Sequence, residues 1–370
     1  MGGRGPASSG LEPVLAQAIR REGPLPVARF VDLALHHPTY GYYRSRDPLG
    51  AQGDFVTAPE LSQAFGEVIG AWLAQAWLDL GGPAPFRLVE LGPGRGTLLA
   101  DALRTTRSVP GFHQGLRLHL VETSERMRAA QAARLAEFRV SWHGRFGEVP
   151  AGPLLLVANE FFDALPVHQL VATARGWLER CIDVDDQGRF TFCLDQDRSD
   201  LGSRLPDAPP GTIAEVSPGR TELLRDIAGR IAQGGGVALV IDYGAWAEGP
   251  TGDTLQATRR HAPCDPLDAP GTADLTTHVD FGALAEAAAA GGAAVYGPVP
   301  QGTFLATLGV HVRTAKLLER ATPDQQRALR AALFRLTDAG AMGELFKALV
   351  LAHPEAPAPP GFAAPTLAPC

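Results

Sequence analysis

Residues 88–99 decide the expected fold of this chain, and their sequence is Leu-Val-Glu-Leu-Gly-Pro-Gly-Arg-Gly-Thr-Leu-Leu. The apolar run from Phe86 to Leu91 predicts a buried strand that leads into the glycines. The segment from Leu98 to Leu103 has the apolar spacing of a helix. A strand, a glycine turn and a helix in this order open a nucleotide-binding βαβ unit.

Glu90 distinguishes between the cofactors that such a turn could bind. A carboxylate just ahead of the turn would repel a pyrophosphate at the helix N-terminus, but it would attract the ammonium and sulfonium groups of S-adenosylmethionine. Gly92, Gly94 and Gly96 follow a G-x-G-x-G spacing, and Thr97 stands where the dinucleotide pattern has its third glycine. The turn therefore predicts S-adenosylmethionine rather than NAD.

Composition excludes several other classes of protein. The 370 residues, 45% of them hydrophobic, suffice for a large core. The net charge of −7 and the lack of a Lys/Arg block argue against a nucleic-acid partner. No apolar run approaches a membrane span, and residues 1–10 lack the apolar centre of a secretory signal. The four cysteines have no metal-ligand spacing, so we expect no metal and reduced thiols in a cytoplasmic protein.

Alternating strands and helices predict an α/β fold with a parallel, doubly wound sheet. The predicted strands are Phe86–Leu91, Leu116–Glu122, Arg139–Trp142, Leu154–Ala158, Gly236–Asp242, Ala293–Gly297 and Leu345–Leu351. The predicted helices include Glu60–Leu80, Thr97–Thr105, Glu125–Glu137, Thr221–Ala232, Leu305–Glu319 and Pro323–Thr337. Thr57 and Glu60 predict a capping box, and Asp185 to Gly188 predict a hairpin turn.

The chain is expected to have three parts. A helical segment, residues 1–82, closes on the cofactor, and residues 83–354 form the core. Insertions at about 166–216 and 245–280 supply a substrate region, because long loops in compact domains are usually functional. Residues 355–370 are rich in Ala and Pro and are expected to be disordered.

Acidic side chains follow several predicted strands at their carboxyl ends, where ligands bind in such sheets. Glu122 could accept hydrogen bonds from both ribose hydroxyls of an adenosyl group, or it could belong to the start of the next helix. Glu160 and Asp163 could hold a cationic nucleophile, or Asp163 could cap a helix. Asp242 adds a third carboxylate, unless it only forms a turn. Phe146 could line an adenine slot or pack as an ordinary loop aromatic.

A polar loop after the fifth core strand contains Gln256, Arg259 and His261. It is too long to be a mere connection, so these residues are substrate-binding candidates. His278 and Asp280 follow it, and Asp280 could alternatively be the acid of a helix's first turn.

Several segments resemble those of the MidA-like methyltransferases, a family whose mitochondrial members are complex I assembly factors. The matching segments are Tyr40–Tyr43, Gly53–Gln63 with Phe65-Gly66, Val89–Gly96, Asn159–Pro166 and Ala273–Phe281. They occur in the expected order over roughly residues 24–351. The resemblance implies a class I methyltransferase fold, Rossmann-like, and symmetric dimethylation of an arginine in the large Q-module subunit of respiratory complex I.

The residue patterns and this resemblance together give three sets of candidate site residues. Cofactor-binding candidates are Gly53, Asp54, Thr57, Glu90, Gly92, Gly94, Gly96, Glu122, Phe146 and Asn159. Catalytic candidates are Glu160, Asp163 and Asp242, and substrate-binding candidates are Tyr42, Gln256, Arg259, His261, His278 and Asp280.

Two other functions are compatible with the sequence: a small-molecule biosynthetic methyltransferase and a non-catalytic assembly chaperone. We also expect a protein substrate, no membrane insertion and a homodimer. A cytoplasmic location is expected for a bacterial chain, and the mitochondrial matrix for a eukaryotic one.

Overall fold

A computed structural model of the protein describes residues 10–45, 57–246, 249 and 251–369. Gly53 and Asp54 lie outside the described residues. The helices are α1 Glu12–Glu22, α2 Val27–His36, α3 Tyr42–Ser45, α4 Ala58–Leu61, α5 Gln63–Asp79, α6 Thr97–Thr106, α7 Phe112–Gly115, α8 Glu125–Arg134, α9 Pro218–Gly234, α10 Phe281–Ala290, α11 Gln301–Thr307, α12 Val310–Leu318, α13 Pro323–Thr337 and α14 Met342–Leu345. The strands are β1 Leu25–Pro26, β2 Phe86–Leu91, β3 Leu116–Val121, β4 Val140–His143, β5 Leu154–Asn159, β6 His168–Thr173, β7 Gly176–Val184, β8 Phe190–Arg198, β9 Ile213–Val216, β10 Gly236–Ala245, β11 Gln256–Arg259, β12 Ala262–Cys264, β13 Asp274–Thr276, β14 Val279–Asp280, β15 Ala294–Pro300 and β16 Phe346–Ala352. Phe146–Glu148 and Asp200–Arg204 form 3-10 turns.

The described residues form two compact units. One unit comprises the described parts of 1–55, 164–219 and 247–278, and the other those of 56–163, 220–246 and 279–370. These boundaries differ from the domain limits that we expected from the sequence. The expected limits stay a prediction.

The larger unit contains the sheet that the sequence predicts. Its order is β15–β16–β10–β5–β2–β3–β4, with β14 paired to the end of β10. The strands from β10 to β4 pair in parallel, which confirms the doubly wound α/β fold. The expectation of a wholly parallel sheet is wrong for β16, which runs antiparallel to both neighbours. An apolar strand pattern carries no information about strand direction, so the sequence did not reveal this.

The central strands are apolar because both faces of the sheet are covered. Every residue of β5 is buried, and so is every residue of β10 from Gly236 to Gly244 except Tyr243. One core cluster joins these strands to α5 and α6 through large side chains such as Trp72 and Phe65.

The helix predicted from Glu60 to Leu80 is interrupted at Ser62. Ser62 has extended backbone (φ −159°), which separates α4 from α5, and its hydroxyl accepts a hydrogen bond from the Ala64 N–H at 3.2 Å. The Thr57 side chain makes no capping bond, so the predicted capping box is wrong. The carboxylate of Glu60 instead accepts a hydrogen bond from the hydroxyl of Thr97, the first residue of α6.

The segment after residue 354, expected to be disordered, lies against the core in the structure. The Phe362 ring contacts those of Phe304 and Tyr296, at centroid distances of 5.8 and 6.2 Å. Leu367 pairs with Val295 beside β15. The few apolar residues of this C-terminal segment are enough for such packing, because the side chains that they contact are already held in place by the sheet.

The smaller unit is built on antiparallel pairs. Its larger sheet has the order β1–β7–β6–β9, with β8 paired to β7 from Leu178 to Val184, and β12–β11–β13 form a second sheet. The predicted hairpin is confirmed: β7 and β8 flank a turn closed by a bond from the Gly188 N–H to the Asp185 carbonyl at 2.9 Å. Cys181 and Cys193 are directly opposite on this hairpin, as free thiols.

No helix among the described residues has both the length and the apolar character needed to cross a bilayer.

Two glycines on α5 allow it to approach α6 closely. A Cβ at Gly70 would lie 2.6 Å from the Cα of Ala102, and one at Gly66 would lie 2.7 Å from the Cβ of Asp101. Real Cβ atoms do not come so near to backbone, so any side chain at Gly70 would force the helices apart.

We therefore expect Gly70→Ala to lower the free energy of unfolding by about 1–3 kcal/mol, the usual cost of overpacking. Gly229→Ala in α9 is the matched control, because the nearest atom to its added Cβ is 3.8 Å away. The gain in helix propensity should leave that control unchanged or more stable by up to about 1 kcal/mol. Urea unfolding of both variants checks this, and equal stability of the two would contradict it.

Candidate active site

The polar candidates of the larger unit gather at the carboxyl ends of neighbouring strands. β5 pairs in parallel with both β2 and β10, so the ends of these three strands are adjacent. Glu90 lies in β2, Asn159 ends β5 and Asp242 lies in β10. From β2 the chain runs outward through β3 and β4 and then returns to β5 on the other side of β2, so the ends of β2 and β5 lie at the topological switch point.

The glycine turn between β2 and α6 has the backbone that the sequence predicts. Gly92, Gly94 and Gly96 have φ values of +59°, +51° and +77°, a region that favours glycine. A Cβ at Gly92 would also lie 2.8 Å from the Phe161 ring, so the turn is packed directly against the loop after β5. The glycines therefore keep this surface free of side chains, as the close approach of a ligand requires.

Glu90 is buried, with 3% of its surface exposed. Its Oε2 atom has no hydrogen-bond partner among the described residues. Burial raises the pKa of this carboxyl to about 8. A buried carboxylate is costly unless it is paired, so a cation brought here by a ligand would favour the charged form.

Glu122 lies directly after β3, and its carboxylate already has hydrogen-bond partners within the protein. Its carboxylate accepts hydrogen bonds from the Ser124 N–H at 2.7 Å and from the Gln131 amide at 3.2 Å. Ser124 caps α8, so the helix-start alternative holds for part of this side chain's contacts. Burial raises the pKa of Glu122, although these hydrogen bonds oppose the rise.

Gln131 is a site residue that sequence reasoning missed. It is fully buried in α8 and donates from its amide nitrogen to the Gly94 carbonyl at 2.7 Å as well as to Glu122. Its amide oxygen accepts from the Trp142 indole at 2.9 Å. One side chain thus ties the glycine turn, Glu122 and β4 together. A lone Gln in a polar, Ala-rich helix gives no sequence signal for such a role.

Asn159 and Glu160 form the end of β5. Glu160 has φ +50°, a left-handed conformation that is strained for a residue with a side chain and is common at functional sites. Its Oε1 accepts from the Ala58 N–H at 2.9 Å and from the Asn159 amide at 3.1 Å. Burial raises the pKa of Glu160 to about 7. The Oδ1 atom of Asn159 is buried and has no partner among the described residues.

Asp242 is fully buried at the same edge. Its Oδ2 accepts from the backbone N–H groups of residues 161–163 at 3.1, 2.8 and 3.2 Å, and its Oδ1 accepts from the Tyr243 N–H at 2.9 Å. Burial raises the pKa of Asp242 to about 6, and the charge of Arg220 opposes the rise. Both oxygens serve backbone donors, so this geometry favours a role in holding the loop after β5.

Asp163 is buried, and its carbonyl accepts from the guanidinium of buried Arg220 at 3.1 Å. No helix begins at Asp163, so the capping alternative for it is not met; a bend and turn lead to β6 instead. Arg220, in the first turn of α9, is a second residue that the sequence did not single out.

Phe146 and Thr57 complete the cofactor candidates of this unit. Phe146 lies in the 3-10 turn after β4, buried, with the Arg230 guanidinium 4.5 Å above its ring. One ring face is therefore covered, as the loop-packing alternative proposed. Thr57 precedes α4, and its carbonyl accepts from the Glu60 N–H at 3.0 Å.

Most substrate-binding candidates belong to the smaller unit. Tyr42 is fully buried in its core, which favours a packing role. Arg259, at the end of β11, donates to Asp268 at 2.6 Å and to Thr272 at 3.0 Å. Gln256 and His261 are exposed at the start of β11 and in the turn after it, and the His278 N–H donates to the Thr254 hydroxyl at 2.9 Å.

Asp280 belongs to the larger unit, where it caps α10. Its Oδ1 accepts from the N–H groups of Gly282 and Ala283 at 2.9 and 3.1 Å. This matches the helix-start alternative for Asp280 and accounts for one of its two carboxylate oxygens. The described residues contain no group of three or more His, Cys, Asp and Glu side chains that could hold a metal ion.

The raised pKa of Glu90 makes stability depend on pH. The folded-state pKa, about 8, lies above the ordinary value of 4.5. Stability from this group is therefore complete below about pH 4.5 and is lost as the pH rises through 8. We expect Glu90→Gln to gain stability relative to the natural chain between pH 5 and pH 8, by about 3–5 kcal/mol.

Urea unfolding of both proteins at the two pH values, without ligand, measures this difference. Glu125→Gln, at an exposed position in the first turn of α8, is the control and should show no such change. A pH-independent difference between Glu90→Gln and the natural chain would contradict this expectation, because it would mean that folding does not raise the pKa of Glu90.

Comparison with known proteins gives one consistent result. The model of a family described as S-adenosyl-L-methionine-dependent methyltransferases matches residues 68–299. The chain is 38% identical to the mitochondrial protein arginine methyltransferase NDUFAF7 homolog of Drosophila melanogaster, over 91% of this chain and 83% of the relative. It is 36% identical to NDUFAF7 of Homo sapiens, over 94% of this chain and 85% of the relative.

A solved structure agrees with these relatives. This structure is of a protein from Burkholderia thailandensis bound to S-adenosyl-homocysteine. It superposes on this chain with a TM-score of 0.83 at 29% sequence identity, and the match covers 99% of this chain and 98% of that one. The strand–glycine–helix unit, the buried Glu90 and these matches lead to one conclusion: the chain belongs to this family of S-adenosylmethionine-dependent methyltransferases.

Proposed function

We propose that this enzyme methylates an arginine side chain of a protein, at a site formed by the carboxyl ends of β2, β3 and β5. The curated relatives are named protein arginine methyltransferases. The observation that carries the proposal for this chain is Glu160, a carboxyl group with a raised pKa in a strained backbone conformation beside the glycine turn.

The residues of the site fit S-adenosylmethionine. When bound, this cofactor supplies a methyl group on a positively charged sulfur, which a nitrogen can attack. Two buried acceptor atoms, Glu90 Oε2 and Asn159 Oδ1, lack donors among the described residues, and a ligand with an ammonium group and further N–H or O–H donors would satisfy them. Glu90 would hold the cationic part and Glu122 the ribose hydroxyls.

The remaining cofactor-binding candidates have smaller roles in this proposal. Gly92, Gly94 and Gly96 would let the ligand approach the backbone, and Phe146 would contact the adenine with the part of its ring that Arg230 leaves uncovered. Thr57 stays a prediction, and so do Gly53 and Asp54.

Glu160 would bind and deprotonate the substrate guanidinium. An arginine is protonated at any ordinary pH, so its nitrogen must lose a proton as the new bond to carbon forms. A carboxylate can hold the guanidinium by two parallel hydrogen bonds and take that proton. With a pKa near 7, Glu160 is a stronger base than an ordinary carboxylate, and it is still largely ionised slightly above neutral pH.

Asp242 would act as a positioning residue for this reaction. Its hydrogen bonds fix the backbone of residues 161–163 immediately after Glu160. The left-handed backbone of Glu160 is strained, and such strain persists only where the surroundings over-determine it. Asp163, held through its backbone by Asp242 and Arg220, would keep the loop closed, and an assisting catalytic role for it stays a prediction.

Glu160→Gln tests the central role. The change keeps the shape of the side chain but removes its charge and its ability to accept the proton. We expect methyl transfer to an arginine-containing peptide to fall by about a hundredfold or more, while affinity for S-adenosylhomocysteine is retained. Rates at saturating cofactor and calorimetric titration measure the two quantities.

Glu222→Gln, an exposed position on α9, is the matched control and should behave as the natural chain. Retained methylation together with a lower melting temperature would show that Glu160 is only structural. If the natural chain methylates small amines but no peptide, the small-molecule alternative is correct. If it binds the cofactor and methylates neither, the chaperone alternative is correct.

The substrate that we propose is the large Q-module subunit of respiratory complex I, from the family resemblance. We expect one arginine of this subunit to carry two methyl groups, one on each terminal nitrogen, in cells with the gene and none in cells without it. Mass spectrometry of the purified subunit measures this. The same methylation in both kinds of cell would exclude this substrate.

Assembly and location stay predictions. A homodimer is still expected, and its mass in solution can be measured by light scattering. The NDUFAF7 relatives are described as mitochondrial. For this chain we propose the cytoplasm if its source is bacterial, and the mitochondrial matrix if it is eukaryotic.

A further inference from the structure

Three arginines form a row across one corner of the core sheet. Arg87 on β2 is directly opposite Arg117 on β3. Arg139 immediately precedes β4, and the pairing of Leu118 with Val140 places it opposite Arg117 on the other side. Side chains at paired positions of neighbouring strands point to the same face, so the three guanidinium groups share one face of the sheet. With strands about 4.8 Å apart, the row spans about 10 Å.

None of these arginines forms an ion pair with a described carboxylate. Arg117 donates to the carbonyl of its neighbour Leu116 at 2.8 Å, and Glu137, the acid that lines the same cavity, is paired with Arg107. Like charges on directly opposed strand positions repel each other. The row therefore carries a net positive charge that the rest of this unit does not neutralise.

The next pair of positions adds no negative charge. His119 is buried beside the row and contacts His143 through their ring nitrogens at 2.9 Å. Burial, His143 and the charge of Arg87 lower the pKa of His119 to about 4, so it is neutral at pH 7. Ser141, opposite His119, contributes a hydroxyl. The face thus presents guanidinium groups, neutral imidazoles and a hydroxyl, all of which can donate to an anion.

The row is accessible from outside this unit. Arg117, Arg139 and Ser141 are exposed, and a cavity of about 670 Å³ opens here. Its lining includes Arg117, Arg139, Ser141 and His119, and also one acid, Glu137. The β4–β5 connection has only the 3-10 turn 146–148, whereas α6 and α8 lie in the two preceding connections, so this connection supplies no helix to cover the corner.

Gly152 packs against the half-buried end of the row, at Arg87. It has φ +136°, and a Cβ there would lie 2.1 Å from a guanidinium nitrogen of Arg87. The missing side chain leaves the space that this guanidinium occupies. The loop between β4 and β5 thus makes room for a cation where a helix would have buried the sheet face.

We propose that this face is a docking surface for a short acidic segment of a partner protein, with carboxylates placed along the arginine row. Carboxylates on one side of an extended or helical segment recur every 5–7 Å, so two or three of them match a row of about 10 Å. Arginine pairs with carboxylates by two parallel hydrogen bonds.

A short segment fits better than a long polyanion. The chain as a whole carries a net charge of −7, and charges are screened over about 8 Å at physiological salt. A nucleic acid would extend beyond the row over a protein whose net charge is negative, whereas a peptide of a few acidic residues need not extend that far.

The surface is separate from the proposed active site and does not depend on the proposed reaction. The arginines lie at the start of β2, β3 and β4, while the site lies at the opposite ends of the strands. Arg87 and Leu91 are four residues apart on β2, which corresponds to about 13 Å. A protein that docks here is therefore held by a surface other than the one that binds the methyl donor.

Binding of a fluorescent hexaglutamate peptide to the full chain, measured by anisotropy at low ionic strength, tests the proposal. We expect the natural chain to bind it, and more weakly as salt is added. Arg117→Glu with Arg139→Glu should weaken binding by about tenfold or more. Arg225→Glu with Arg320→Glu is the matched control: both arginines are exposed, form no described ion pair and lie in the same unit, and the net charge changes equally. Binding to the control should stay within about twofold of that to the natural chain.

Equal losses in the two double variants would mean that only net charge matters and would overturn the proposal, as would no binding by the natural chain. A uridine hexanucleotide that binds more tightly than the peptide, with the same dependence on Arg117 and Arg139, would also overturn it, in favour of RNA. Affinity for S-adenosylhomocysteine should be unchanged in all variants, which shows that they are folded and separates this result from the proposed reaction. If Arg117→Glu with Arg139→Glu does not fold, the comparison is made instead between Arg117→Gln with Arg139→Gln and the control Arg225→Gln with Arg320→Gln.

Discussion

The candidate active site depends on the carboxylate of Asp242. Three successive backbone N–H groups after Glu160 point at one of its oxygens, and a fourth donor reaches the other. Without this acceptor, buried N–H groups would be left unpaired, at a cost of about 1–3 kcal/mol each. The same bonds hold the chain in the sharp turn that follows β5, and this turn packs Phe161 against Gly92. The glycine turn and the loop that follows Glu160 are therefore in contact because a side chain of β10 fixes the backbone of that loop.

Two carboxyl groups at this edge are buried at a cost to stability. Burial raises the pKa of Glu90 to about 8 and that of Glu160 to about 7, so each resists ionisation in the absence of a ligand. Structural ion pairs would have lowered these values, as the two arginines beside Glu67 lower the pKa of that residue. A raised pKa alone does not identify a ligand-binding carboxyl group, since the pKa of Asp242 is also raised although both its oxygens accept hydrogen bonds from the backbone. Glu90 differs from Asp242 because its buried Oε2 atom has no partner among the described residues.

Much of this unit could be predicted from the sequence because its signals are local. The strand, the glycine turn and α6 follow from apolar spacing and from glycine's backbone freedom, and Glu90 was recognised by its position next to them. The hydrogen bonds of Asp242 and Gln131 could not be predicted, since both connect segments that are far apart in the chain. The capping box at Thr57 failed for a related reason: the Glu60 carboxylate bonds to Thr97 in another helix, and a local motif does not reveal such a competing partner. The direction of β16 and the packing of Phe362 are likewise set by tertiary contacts.

The position of β16 has a consequence for how the chain folds during synthesis. This strand lies between β10 and β15, so the edge of β10 stays open until residue 352 has left the ribosome. An apolar strand with unpaired backbone groups is a surface on which other chains can aggregate. The nascent chain can form the pairs among β2, β3, β4 and β5 early, but it must keep the edge of β10 from other partners while about a hundred further residues, from 246 to 345, are made. The slowest and most exposed step of folding is therefore expected to be the addition of the late strand β16 to the open edge of β10, which also joins β15 to the sheet.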